Sequence, residues 1–271
     1  MAAPPFQGPL VPVERKNPDK IRVFVLGDSQ SLTSFGPELQ RELVEEGYEV
    51  LFHGVKNGTP YFWAGAWPSP VLTRVYAPAV TPEDCGQFEE VSMIPRSIED
   101  YVDAFDPDVF VFQAGTNFEI DLVEENVTEI SRMIRDSVRI ASMRGAKVLW
   151  IGPPDARDDV KAVAMQDTAG ETLRSALSDL SASQNLPCFY DSRPACPIGN
   201  DTRGDGEHPT HEGGIAWADL VAEWVHQAIV NLGCDGLLRP AGGVPVSPTI
   251  RMLTRQFEEA PEPETPIEMK L

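Results

Sequence analysis

Three short stretches, far apart in the chain, carry the residue types of nucleophilic catalysis. Gly27-Asp28-Ser29 directly follows the apolar run at 21–26, and Asp205-Gly206-Glu207-His208-Pro209-Thr210 lies near the other end. Between them, Gly115-Thr116-Asn117 follows a second apolar run, Val109-Phe110-Val111-Phe112. A serine hydroxyl is a weak nucleophile until a base takes its proton and a third group orients that base. Ser29 is the candidate nucleophile and His208 the candidate base. Asp205 would accept the other ring N–H and fix the tautomer. Ser31 is the competing serine, and Gly-Asp-Ser could instead only cap a helix beginning near Phe35. The distal stretches favour the chemical reading. Asp205, His208 and His211 are spaced by threes, which raises a metal reading. Gly206 and Pro209 interrupt any helix that would align them, so no metal or other cofactor is expected.

Alternating strands and helices must position these residues. Strands are expected at 21–26, 48–53, 109–112, 147–151 and 187–191, and helices at 37–46, 97–105, 121–144, 159–184 and 215–231. The stretch 54–95, rich in Pro, Gly and aromatic residues, reads as irregular. This alternation predicts an α/β chain: a three-layer α/β/α sandwich around a doubly wound, mainly parallel, five-stranded sheet. Right-handed crossovers restrict the strand order, and ligands of such sheets sit at the carboxyl ends of the strands. Ser29, Gly58 and Asn117 each follow an expected strand, so they should meet on that edge. Residues 1–20 read as an extended, proline-rich arm and 21–235 as the catalytic domain. Residues 236–271 read as a Pro- and Glu-rich tail with a short helix near 249–257.

The chain has 271 residues, 42% hydrophobic and 24% charged, with a formal charge of −20. That acidity argues against nucleic-acid binding and against docking on anionic membranes. No window approaches the roughly 18 uninterrupted apolar residues of a membrane span. The first residues, Met1 to Pro9, have neither the basic nor the apolar region of a secretory signal. The expectation is therefore a cytoplasmic location, a signal already removed, or export by another route. Of four cysteines, Cys188 and Cys196 bracket a short loop and could pair, whereas Cys85 and Cys234 have no obvious partner.

Together, the three stretches resemble the SGNH (GDSL-type) hydrolase family over about residues 21–231. The family's first pattern puts its serine at 29, and its last block matches Asp205 to Thr210 followed by Gly213-Gly214. The resemblance implies a flavodoxin-like fold and a serine esterase that needs no metal. Its oxyanion hole would be made by the Ser29 N–H, a glycine N–H and the Asn117 side chain. Strict spacing puts Asn57 where the glycine is expected, and Gly58 fits with a shift of one residue. Gly58 is taken as the donor, with Asn57 as the alternate.

Two further departures are Gln30, where the family has leucine, and Phe118, where aspartate usually follows the asparagine. Gln30, Trp63, Trp67 and His211 are the candidate substrate contacts. The aromatic run from Tyr61 to Trp67 could stack on sugars or cover an acyl chain, or it could be a minicore pinning its loop. The expected substrate is a short acyl ester, an acetylated glycan or other small molecule. The alternatives are an acyltransferase, a lipid or thioester hydrolase, and an assembly module forming homo-oligomer contacts through the arms. There is no Gly-x-Ser-x-Gly elbow and no dinucleotide or Walker-type glycine motif.

Overall fold

In the computed structural model, residues 12–66, 69–118, 126–184, 188–194, 196 and 204–232 are described. Among them, strands β1 (Arg22–Gly27), β2 (Glu49–Val55), β3 (Val71–Tyr76), β4 (Phe88–Met93), β5 (Val109–Gln113), β6 (Lys147–Ile151) and β7 (Phe189–Tyr190) form one sheet. The order is β4-β3-β2-β1-β5-β6-β7, with β2, β1, β5, β6 and β7 parallel. The helices are α1 (Phe35–Glu45), α2 (Ile98–Phe105), α3 (Val127–Ala141), α4 (Val163–Ala176), α5 (Ser178–Gln184) and α6 (His211–Asn231).

The central parallel strands are buried on both faces, which is why their middles, Val23 to Leu26, Val50 to Phe52 and Val109 to Phe112, read as apolar runs. Side chains still alternate along each strand. Val23, Val25, Val109, Val111, Leu149 and Ile151 join α1 and α6 in one core. Phe24, Leu26, Phe110, Phe112, Val148 and Trp150 join α2, α3 and α4 in the other. The result is the expected three-layer α/β/α sandwich.

The five-stranded expectation is two strands short. The stretch read as irregular holds β3 and β4, an antiparallel hairpin added alongside β2. Strand β4 is Phe-Glu-Glu-Val-Ser-Met, and its charges suit an outer edge that must not pair with another chain. Those same charges hide it from a reading based on hydrophobicity. Glu90 sits opposite Arg74 in the register and is bound by it at 2.5 Å, while the Arg74 guanidinium lies 4.1 Å from the centre of the Phe88 ring.

Helix α6 begins four residues earlier than expected because the Thr210 side chain caps it, accepting from the Gly213 N–H at 3.2 Å. Gly214 allows the close approach to α1, since a methyl there would lie 2.2 Å from Ser34 Oγ. The expected helix at 159–184 is divided into α4 and α5, and the expected 121–144 helix is described only from residue 126.

At the amino ends of the strands, opposite the candidate site, a buried ion pair joins β1 to β2. Arg22 Nη2 lies 2.6 Å from Glu49 Oε1, and both side chains are almost wholly buried. Residues 12–20 of the expected arm cross this end: Val13 N–H donates to Ala104 O at 2.8 Å, and Arg15 pairs with Asp108 at 2.9 Å. Residues 1–11 and the expected tail at 236–271 lie outside the described residues, as does Cys234. The pairing considered between Cys188 and Cys196 is not made: both are buried free thiols, and burial pushes the Cys196 thiol up to about 11. Among the described residues, no helix is long and apolar enough to cross a membrane.

Candidate active site

Strand β1 ends at Gly27, and the chain turns at once into a single 3-10 turn, Ser29–Leu32. Asp28 fixes that turn. Its backbone N–H donates to Gln113 O on β5 at 2.9 Å, and its side chain accepts from the Gln30 N–H at 3.0 Å. Its burial pushes its carboxyl above the usual range, against the opposing pull of the Gln30 N–H. The Ser29 N–H, first in the turn, has no acceptor within it. The competing serine is otherwise engaged: Ser31 is wholly buried and its hydroxyl donates to Gln113 Oε1 at 2.7 Å.

His208 and Asp205 reach Ser29 from the loop before α6. His208 Nε2 lies 2.9 Å from Ser29 Oγ, and His208 Nδ1 lies 2.8 Å from Asp205 Oδ2. A carboxylate only accepts, so Nδ1 carries the proton and Nε2 is left to accept from the serine hydroxyl. The other Asp205 oxygen accepts the backbone N–H groups of Glu207 at 2.9 Å and His208 at 2.8 Å. Partial burial alone would raise the Asp205 carboxyl, but these N–H groups and the His208 ring hold it down at about 2.

A folded-state value below the ordinary one means that the stabilisation Asp205 contributes is complete above about pH 4 and is lost as pH falls through about 2. Asp205 therefore keeps its charge through the range in which histidines titrate. A carbon-detected NMR titration of this carboxyl should have its midpoint near 2, and an ordinary midpoint near 4 would contradict the hydrogen-bond pattern.

Asn117 stands at the carboxyl end of β5, on the same edge. Gly115 makes that turn with φ +147°, and a methyl there would lie 2.5 Å from Pro153 Cδ, so only glycine fits. Phe118, where the resemblance leads one to expect aspartate, is buried edge-on to Trp150, whose indole N–H donates to Ala114 O at 2.9 Å. An aromatic anchor thus takes the place of a polar one. The Asn117 amide donates to Gly58 O at 3.3 Å. Gly58 also comes close to the nucleophile's turn, since a methyl there would lie 3.2 Å from Asp28 Cα.

The expected role of the Gly58 N–H needs correction. That group is already donated to Val55 O at 3.0 Å, closing a turn in which Asn57 adopts φ +58° and is exposed. Gly58 offers the site a carbonyl that holds Asn117, together with a close backbone approach.

The substrate contacts proposed from sequence fare unevenly. Gln30 is wholly buried, and its amide donates to Thr116 Oγ1 at 3.3 Å and Glu207 O at 2.9 Å, so it ties loops together and does not face a substrate. Trp63 is also core, 1% exposed and packed beside Phe112. Trp67 lies outside the described residues. His211 is exposed at the start of α6, where its carbonyl accepts from Ser34 Oγ at 2.8 Å. Sequence reasoning missed Lys161, whose ammonium binds Thr116 O and lies 2.8 Å from Glu207 Oε1. No motif marks it, because its meaning comes only from where the β6–α4 connection falls.

No family model matches the sequence, and no curated protein matches it. Solved structures do share its fold. A carbohydrate esterase family 3 protein from Talaromyces cellulolyticus is 17% identical with a TM-score of 0.52, covering 78% of this chain and 99% of its own. A lipase/acylhydrolase from Enterococcus faecalis is 16% identical with a TM-score of 0.51, covering 76% and 96%. A DUF4886 family protein from Bacteroides uniformis is 13% identical with a TM-score of 0.53, covering 84% and 89%. The chain therefore has the α/β/α fold of SGNH-type hydrolases, as the motifs led one to expect.

Proposed function

We propose that the protein is a serine esterase that removes a short acyl group, acetyl above all, from a carbohydrate or a comparable small alcohol. The single observation that carries this reading is the chain of hydrogen bonds Ser29–His208–Asp205, at 2.9 and 2.8 Å, on the carboxyl edge of the sheet. In the first half-reaction, Ser29 Oγ attacks the ester carbonyl carbon while its proton passes to His208 Nε2. The carbonyl π pair becomes an oxyanion. Its donors are the Ser29 N–H and the second hydrogen of the Asn117 amide, the first being given to Gly58 O. Collapse of the intermediate breaks the bond to the alcohol oxygen, which leaves with the proton from His208. Water then gives its proton to His208 and attacks the acyl-enzyme, and Ser29 is regenerated as the acid departs.

Fold neighbours that are a carbohydrate esterase and an acetyl xylan esterase support a small acyl group on a sugar. The test is a series of p-nitrophenyl esters of increasing acyl length, run beside acetylated xylan and an acetylated sugar. The expected result is kcat/KM greatest for acetate and falling with chain length, with acetate released from the glycan. A preference for long chains would replace this reading with a lipid hydrolase. Transfer of the acyl group to added sugar in preference to water would make the protein a transferase.

A further inference from the structure

Thr116 immediately precedes Asn117, and Glu207 immediately precedes His208. The same two side chains hold both of these neighbours. From inside the fold, the Gln30 amide uses its two hydrogens on Thr116 Oγ1 and Glu207 O, at 3.3 and 2.9 Å. From the other side, the Lys161 ammonium binds Thr116 O and Glu207 Oε1, the latter at 2.8 Å, with only 13% of its side chain exposed. We propose that Gln30 and Lys161 form a double clasp that sets the spacing of Asn117 and His208, which makes Lys161 a positioning residue of the reaction. The inference rests on the esterase reading above.

The connection that carries Lys161 is itself braced. Gln166, buried in α4, accepts from the Ala156 N–H at 2.9 Å and donates to Ala156 O and Lys161 O at 3.2 and 2.9 Å. The Lys161 N–H donates to Arg157 O at 2.9 Å, and the Arg157 N–H donates to Gly206 O in the triad loop at 2.8 Å. Lys161 therefore presents its ammonium from a fixed backbone, and its reach sets the distance between the loops.

An oxyanion donor and a general base on separate loops stabilise the transition state only if they are held at fixed separation. Ground-state binding of a small ester depends on this spacing far less. The loss on removing Lys161 should consequently fall on kcat.

The experiment compares Lys161→Met and Lys161→Arg with the unaltered chain on a p-nitrophenyl acetate assay. Deuterium uptake is followed in parallel for the peptide spanning 204–210. In Lys161→Met, kcat should fall by about ten- to a hundredfold with KM within about threefold, because misplacement of reacting groups costs rate more than binding. Uptake at 204–210 should quicken, and Lys161→Arg should recover most of kcat. An unchanged kcat in Lys161→Met overturns the clasp. So does a lowered Tm with kcat intact, or a Lys161→Arg variant as slow as Lys161→Met. If the unaltered chain cleaves no ester, the esterase reading fails on its own account, and the clasp is judged by uptake alone: faster exchange in Lys161→Met supports it and unchanged exchange rejects it.

Discussion

Ser29→Ala should lower kcat by roughly three to six orders of magnitude while leaving Tm unchanged, since removing the nucleophile of such a triad leaves only residual catalysis from binding and the oxyanion site. The side chain is small, and its one described hydrogen bond is to His208. Its removal therefore costs little packing. His208→Ala should be about as slow, and the double variant no slower than either single one, because the groups act as a unit. A fluorophosphonate probe with the adduct located by peptide mass gives the same answer without a substrate. Labelling should fall on the peptide containing Ser29, persist in Ser31→Ala and vanish in Ser29→Ala. Labelling that survives in Ser29→Ala would place the nucleophile elsewhere and end the mechanism proposed here.

Glu49→Ala should cost about 3–5 kcal/mol of stability, the usual consequence of leaving a buried charge without its partner. Glu49 Oε1 receives both the Arg22 guanidinium, at 2.6 Å, and the Lys16 N–H, at 3.2 Å. Without it, the Arg22 guanidinium keeps only carbonyl partners among the described residues, Phe105 O at 2.7 Å and Val13 O at 3.0 Å. The double variant Arg22→Met with Glu49→Leu should return close to the starting stability, since a buried pair replaced by apolar side chains is often neutral or better. Urea denaturation of the three variants measures both claims. A single-variant loss below about 1 kcal/mol would mean that water reaches Arg22 and that the pair behaves as a surface one. Turnover by the folded fraction should not change, because the pair lies at the opposite end of the strands from Ser29.

What the sequence made legible follows from the physics of each element. The central parallel strands were readable because burial on both faces demands apolar residues, as in Val109-Phe110-Val111-Phe112. The hairpin was not, because β4 faces outward and its Glu89 and Glu90 satisfy an edge, not a core. At the candidate site, the meeting of Ser29, His208 and Asp205 was legible from residue type and local motif. Gln30 was read as facing a substrate although it is wholly buried, since proximity in sequence to a nucleophile says nothing of burial. For Trp63, where a minicore was the alternative, the core placement was the one found. Gly58 was assigned a free N–H, but the type of a residue does not reveal that a turn has already used it. Lys161 was invisible because its two partners come from loops distant in sequence.

The contact between Ser29 and His208 joins residues 179 apart in the chain. Pairings of this span form late, because the intervening loop must be closed before they return any free energy. A chain that has folded only β1, α1 and β2 presents the hydroxyl with no base beside it. Helix α6 must first seat on α1, with the rings of Phe35 and Trp217 stacked at 3.8 Å, before its leading loop can bring the imidazole across. On the proposed mechanism, a growing polypeptide thus stays chemically silent until the segment through α6 has left the ribosome. In refolding, return of esterase activity should trail the tryptophan signal of that packing.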